Sequence, residues 1–226
     1  MKKITLLSFS FLFSIAMMAQ SKFQLGFKAS PNIHWLKTDV EGVDRDGVNF
    51  GFNFGVLADF NISERYSFST GVESVTVGGD TETKNSVLDF EDKYTAKYIE
   101  VPISLKLKTN QIGYITYFGQ FGLTAGVNYD ANGETTVAGV TTKRSNRQED
   151  MALFRGAIMF GAGMEYNISG STSLLLGVTF NNGITNIYSK DARDDYEEAN
   201  KQLGNNNADE LKAITNYLAL NIGIIF

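Results

Sequence analysis

The sequence predicts an all-β fold: an eight-stranded, antiparallel, up-and-down transmembrane β-barrel with short periplasmic turns and long external loops. Three observations carry this. Eight segments alternate apolar and polar residues with a period of two, the mark of a strand with one apolar face. The connections alternate in length, with short turns near 62, 111 and 169 and long loops near 39, 86, 140 and 198. The apolar face carries almost no charge, whereas a soluble barrel is apolar inside and would place its charges outside.

The 226 residues suit one domain or a small pair. Met1-Lys2-Lys3 is a basic start, residues 4–18 form an uncharged apolar run, and Ala19-Gln20 follows. This pattern is a secretory signal over residues 1–19, leaving residues 20–226 as the barrel domain. Cleavage is expected after Ala19, with Ala16 a second candidate. The chain has no cysteine, which excludes a lipidated N-terminus and means the exported domain needs no disulfide. Without Lys2 and Lys3 the 20 basic residues become 18 against 25 acidic ones, so the mature net charge is -7. That balance disfavours nucleic acid as a partner.

The first strand is expected over residues 22–30, with Phe23, Leu25, Phe27 and Ala29 on one face and Pro31 as its end. Residues 31–47 then read as a polar loop. The second strand, 48–60, has the cleanest alternation: Phe50, Phe52, Phe54, Val56 and Phe60 against Gly51, Asn53, Gly55 and Asp59. A short turn leads to the third, 66–73. Residues 78–94 read as a long loop. The fourth strand covers 98–108 and the fifth 114–129. Residues 130–150 read as a second long, charged loop. The sixth strand covers 153–166, the seventh 174–180, and residues 184–213 form the longest loop. The eighth ends the chain, with Leu218, Leu220, Ile222, Ile224 and Phe226 on its apolar face. It is expected to close the barrel on residues 23–29. Residues 54–72 also align without a gap on 160–178, so two hairpins repeat at an offset of 106 positions.

Most strand glycines fall on the polar face, as a narrow eight-stranded interior requires. The same face carries Lys28, Asp59, Glu73, Glu100, Lys106, Arg155 and Glu165. In a narrow lumen these must pair or hold water, because isolated buried charges are costly. Small residues combined with charge pairs indicate a filled barrel more than a pore.

Little else carries chemistry. His34 is the sole histidine and reads as a loop residue beside Trp35, an interfacial anchor. One histidine and no cysteine disfavour a zinc site. The run 190–198 is rich in carboxylates but lacks the glycine of a calcium loop; it reads as a solvated, partly helical loop. Gly161-Ala162-Gly163 lies within a strand and is no nucleotide motif. No cofactor is expected. Pro102 removes a ladder donor and reads as a bulge beside Glu100.

Tyr98-Ile99-Glu100-Val101-Pro102-Ile103-Ser104-Leu105-Lys106 resembles a characteristic strand of PorT-like outer-membrane β-barrel proteins. Phe160-Gly161-Ala162-Gly163-Met164-Glu165-Tyr166 and Asn182-Gly183-Ile184-Thr185-Asn186-Ile187 resemble the sixth strand and the end of the seventh in that porin-like family. Arg155 departs from the pattern, where an acidic residue is more typical. The resemblance implies a Gram-negative outer-membrane location; some members belong to a type IX secretion machine. The leading expectation is a non-enzymatic barrel acting through its external loops as an envelope, secretion-associated or binding component. A small diffusion channel and a lipid-modifying barrel enzyme are the alternatives. Expected partners are outer-membrane lipid, the barrel-insertion machinery reading the terminal strand, and secretion-system or envelope proteins.

Overall fold

A computed structural model of the chain describes residues 23–38, 43–84, 89–137, 140–145, 147–202 and 211–226. The expected signal peptide, and the centres of the expected loops near 39 and 86, lie outside them. The strands are β1 (Phe23–Thr38), β2 (Val43–Asp46), β3 (Asn49–Asn61), β4 (Tyr66–Lys84), β5 (Asp89–Lys108), β6 (Ile115–Val137), β7 (Val140–Ser145), β8 (Phe154–Ser169), β9 (Thr172–Gly183) and β10 (Ala213–Ile225). One helix, α1 (Lys190–Gln202), precedes β10.

Eight of these strands close into a ring. β1 pairs with β3, and the ladder continues through β4, β5, β6, β8, β9 and β10. β10 then returns to β1, with Phe27 opposite Ile224 and Ala29 opposite Ile222. Every pairing is antiparallel, so the barrel proper has no free edge. The two short strands lie above it: β2 pairs with β4 and β7 with β6.

Faces follow the alternation. On β3 the side chains of Phe50, Phe52, Phe54, Val56 and Phe60 are exposed, Phe50 to 83%, while Asn53, Leu57 and Asp59 are buried. Leu25 and Phe27 on β1, Phe160 on β8, Leu174 and Leu176 on β9, and Leu218, Leu220, Ile222 and Phe226 at the end of the chain continue the exposed belt. An apolar belt around a closed barrel is stable in lipid and not in water. Above the belt Trp35 stacks on Phe180, with ring centroids 6.2 Å apart.

Three short turns, after β3, β5 and β8, share one end; Gly113 (φ 63°) and Gly170 (φ 58°) supply the left-handed conformation two of them need. The repeated hairpins share their register: Phe54 faces Ser74 on β3 and β4, and Phe160 faces Phe180 on β8 and β9, both at the 106-residue offset.

Four expectations are corrected. Pro31 does not end β1, which runs to Thr38. Its register toward β3 is continuous through Pro31 opposite Phe52, while toward β10 it skips Ser30 and Pro31. The missing N–H therefore falls on the β10 side, where Ser30 Oγ donates to Asn221 Oδ1 at 2.9 Å. His34 is accordingly no loop residue: it faces the interior of β1 and is 1% exposed. Residues 78–94 and 130–150 are largely strand, because β4, β5 and β6 continue past the lipid belt and β7 adds to them. Their polar composition marks departure from lipid; alternation and β-branched residues keep the strand going. Pro102 lies in register opposite Thr124, and the bulge sits higher, where the pairing shifts between Lys97 and Tyr98 and Tyr129 is the extra residue. The carboxylate-rich run 190–198 is helical, within α1.

Candidate functional site

The inward side chains form layers, and the layers determine what the barrel can do. Nearest the short turns, Lys106 on β5 reaches Asp59 on β3 at 2.5 Å and Glu165 on β8 at 3.0 Å. Two residues on, and so on the same face, Lys108 donates to the other Glu165 oxygen at 3.0 Å. Ser69 Oγ also donates to Asp59. Phe118 lies beside this group, with Lys106 Nζ 4.7 Å from its ring centroid. Room for that ring comes from Gly163 and Gly177, cross-strand neighbours on β8 and β9: a Cβ added at Gly163 would lie 2.7 Å from Phe118 Cζ.

Next comes a second charged layer. Lys28 on β1 pairs with Glu73 on β4 at 2.8 Å. Arg155 on β8 donates to Glu100 on β5 (2.5 Å), Asn181 on β9 (2.7 Å) and Thr215 Oγ1 on β10 (2.9 Å). The guanidinium also lies 5.5 Å from the centroid of the Tyr217 ring. On β1, His34 Nδ1 donates to Asn32 Oδ1 at 2.9 Å, and Asn32 Nδ2 donates to Asn53 Oδ1 at 2.6 Å. The two layers hold four cations (Lys28, Lys106, Lys108, Arg155) against four carboxylates (Asp59, Glu73, Glu100, Glu165), so their formal charge is zero. Between them lies a small cavity of about 30 Å³ lined by Lys28, Glu73, Lys106, Phe118 and Met159, room for bound water.

Toward the long loops the interior turns apolar. Leu36, Val75, Val77, Tyr94, Ala96, Tyr98, Ala131 and Tyr217 form a buried cluster, and Met151 and Ile187 join it from the connections that flank β8 and β9. These connections cap the mouth. Met151 bridges to Tyr188, Ala152 N–H donates to Ile187 O at 2.7 Å, and Ser189 N–H donates to Asp150 O at 2.9 Å. Arg147 clamps the cap, bonding Asp92 on β5 at 3.0 Å and Asp150 at 2.8 Å. Burial opposes its charge, but Asp150 and Asp92 outweigh burial and hold the guanidinium above its usual pKa. Burial pushes the Tyr188 phenol up to about 12, with Asp92 adding to the effect, and it raises Tyr94 well above its ordinary value. Their rings are 6.2 Å apart. From the cap, Ser189 starts α1, its Oγ accepting from Ala192 N–H at 3.1 Å.

At the short-turn end the lumen opens into a vestibule of about 730 Å³, lined by Gln24, Asn61, Lys108, Thr116, Glu165 and Ser173 among others. It stops at the Asp59–Lys106–Glu165 layer.

All seven of the ionisable residues singled out from the sequence face this lumen and fall into the two layers. The eighth, Lys108, shares their face by spacing alone, and without it the charges do not balance. Asn32 and His34 were hidden by Pro31, which reads locally as a strand end, whereas their partner Asn53 lies on the polar face expected for its strand. The cap was hidden because Arg147 and Asp150, three residues apart, meet Asp92 on β5 and the segment 187–189 only through the fold. Among the described residues no cluster of His, Cys, Asp and Glu is arranged to hold a metal. On the terminal strand, Leu218, Leu220, Ile222 and Phe226 are exposed on the outer face, whereas Asn221 and Ile225 are buried.

A closed eight-stranded antiparallel barrel with an apolar outer belt and a charge-neutral, packed interior defines a small outer-membrane β-barrel protein. Residues 18–189 match the family model described as an outer membrane protein beta-barrel domain, and the chain belongs to that family. No curated protein matches the sequence. Among solved structures, the outer membrane protein OprG from Pseudomonas aeruginosa is similar with a TM-score of 0.51 at 10% identity, over 91% of this chain and 96% of that one. Neisserial surface protein A aligns with a TM-score of 0.46 at 11% identity, over 90% and 95%. Ail, the attachment invasion locus protein of Yersinia pestis, aligns with a TM-score of 0.41 at 11% identity, over 91% and 99%. At such identities the likeness is one of fold alone.

Proposed function

We propose that this outer-membrane protein is a non-enzymatic, non-conducting barrel that acts through its external surface, as an envelope, secretion-associated or binding component. The observation that carries the reading is the sealed lumen: two interlocked charged layers, then an apolar layer, then the Arg147 cap. Among the described residues these layers fill the lumen between the vestibule and the cap, which supports a barrel that does not conduct. His34 supports the non-enzymatic reading, since it is buried and bonded to Asn32, out of reach of a lipid substrate. The fit of residues 98–106 and 160–166 to the PorT-like pattern supports placing the chain among those members of the family. Export by residues 1–19, contact of the apolar belt with outer-membrane lipid, and delivery by the barrel-insertion machinery complete the proposal.

Planar-bilayer recording of the refolded protein tests it. The expected trace is electrically silent. Reproducible unitary conductance would favour the diffusion-channel reading and overturn this one.

A further inference from the structure

We propose that the outer edge of β7 is a docking edge for an extended, acidic strand of a partner protein. The strand adds to the external sheet by main-chain hydrogen bonds and is selected by Lys143. This rests on the reading that the protein acts through its external surface, and it specifies the partner's chemistry.

Beyond the lipid belt, β2, β4, β5, β6 and β7 form a five-stranded antiparallel sheet, in that order. Among the described residues β7 pairs with β6 alone, from Asn132 opposite Ser145 to Val137 opposite Val140. The far side of such a strand presents a row of backbone N–H and C=O groups, a template for another strand. Val140, Thr141 and Thr142 are β-branched and hold the extended conformation without a second neighbour. No proline or bulge interrupts β7 to blunt it.

Charge identifies the occupant. One cross-strand row runs Asp80, Lys93, Glu134, Lys143 over β4, β5, β6 and β7. From β4 to β7 the sign alternates at each strand, with Lys93 3.5 Å from Asp80 and Lys143 2.8 Å from Glu134. At the opposite edge of the sheet the row ends on β2 with Asp46 in register with Asp80. Opposite charges directly across a ladder attract and like charges repel. The row ends at the free edge on Lys143, whose side chain is 79% exposed. A strand added there continues the alternation if it places a carboxylate opposite Lys143. A second copy of β7, Val-Thr-Thr-Lys-Arg-Ser, contains no carboxylate and cannot do so.

The test uses the full-length protein in lipid nanodiscs. The probes are a short labelled Thr/Val peptide carrying glutamates and its lysine counterpart. The glutamate peptide is expected to bind and to slow amide exchange over residues 140–145, with the lysine peptide about tenfold weaker. Thr141 N–H lies on the free side of β7, because the Val137–Val140 and Thr135–Thr142 pairs are the ones bonded to β6. Lys143→Glu is expected to reverse the preference, and Thr141→Pro to abolish binding of both while heat-modifiable gel migration stays normal. Equal binding of the two peptides, binding that survives Thr141→Pro, or a dimer that Thr141→Pro dissolves would each overturn the proposal. Photo-crosslinkers in living cells at Val140 on β7, which is exposed and leaves Lys143 intact, and, separately, at Glu197 on α1 distinguish the failures. Capture at Val140 that Thr141→Pro and Lys143→Glu both abolish supports the edge. Capture at Glu197 alone overturns the edge and leaves the external-surface reading standing, whereas capture at neither position overturns both.

Discussion

Glu73 and Glu100 are direct cross-strand neighbours, one on β4 and one on β5, both facing the lumen. Like charges in that position repel, and both carboxylates are almost fully buried. The fold resolves the conflict from opposite sides: Lys28 on β1 meets Glu73 and Arg155 on β8 meets Glu100. Each cation thus ties its own strand to the next strand but one around the barrel, Lys28 over β3 and Arg155 over β6. The charged layer therefore acts as a set of cross-braces, and its formal neutrality leaves no net charge to attract an ion.

Arg155→Met is expected to destabilise the barrel by about 3–5 kcal/mol, because it leaves Glu100 buried without its cation. It also removes the donors to Asn181 and Thr215. Adding Glu100→Gln in the same chain should recover a large part of that loss. Urea titration in lipid vesicles, followed by the fluorescence of Trp35, the sole tryptophan, measures both. Equal midpoints for the single and double variants would contradict the bracing role.

Gly163→Val is expected to cost about 1–3 kcal/mol by overpacking. The new side chain meets Phe118 on one side and the backbone of Leu176 and Gly177 on the other. Phe118→Ala in the same chain removes one of those obstacles and should restore part of the stability. Thermal midpoints of heat-modifiable migration report the difference; no rescue would place the strain at the backbone of β9 instead.

How much of this was legible in the sequence depends on the range of each signal. The outward phenylalanines of β3 and the inward Asp59 follow from a period of two, which is local, and the eight-strand closure follows from repeating it. Lys108 was equally legible, two residues from Lys106. Pro31 misled because its local effect, a missing N–H, normally ends a strand; here the loss falls on one ladder and Ser30 and Asn221 bridge it. Polar stretches such as 78–94 misled in another way. In a membrane protein polarity reports the surroundings of a strand, and β4 and β5 simply continue into water. The Arg147 cap joins residues far apart in the chain, and no local pattern announces it.

The cap is expected to loosen at high pH. An exposed tyrosine titrates near 10, and Tyr188 is pushed up to about 12 by burial and by Asp92. Between these values the closed cap holds its proton more tightly than the open one, so the stabilisation is complete below about pH 10 and is lost as pH rises toward 12. Ultraviolet titration of tyrosinate should show a late component that Tyr188→Phe removes. Superimposable curves for the two proteins would dissociate Tyr188 from the closure of the mouth.

The terminal aromatic serves both the seam and, on the proposed reading, insertion. Phe226 N–H donates to Leu25 O at 2.7 Å, fastening β10 to β1, while its ring is exposed on the lipid face. Phe226→Ala removes the ring and keeps that bond. Deleting Phe226 removes both and moves the terminal carboxylate to Ile225, whose side chain is fully buried with Leu57, Phe118 and Leu175. A charge there is costly to desolvate. Deletion is therefore expected to lower outer-membrane insertion more than expression, and more than Phe226→Ala does. Quantifying the folded, heat-modifiable band in outer-membrane fractions checks the order. Normal migration of the deletion variant would show that neither the ring nor the last hydrogen bond of the seam is needed for delivery.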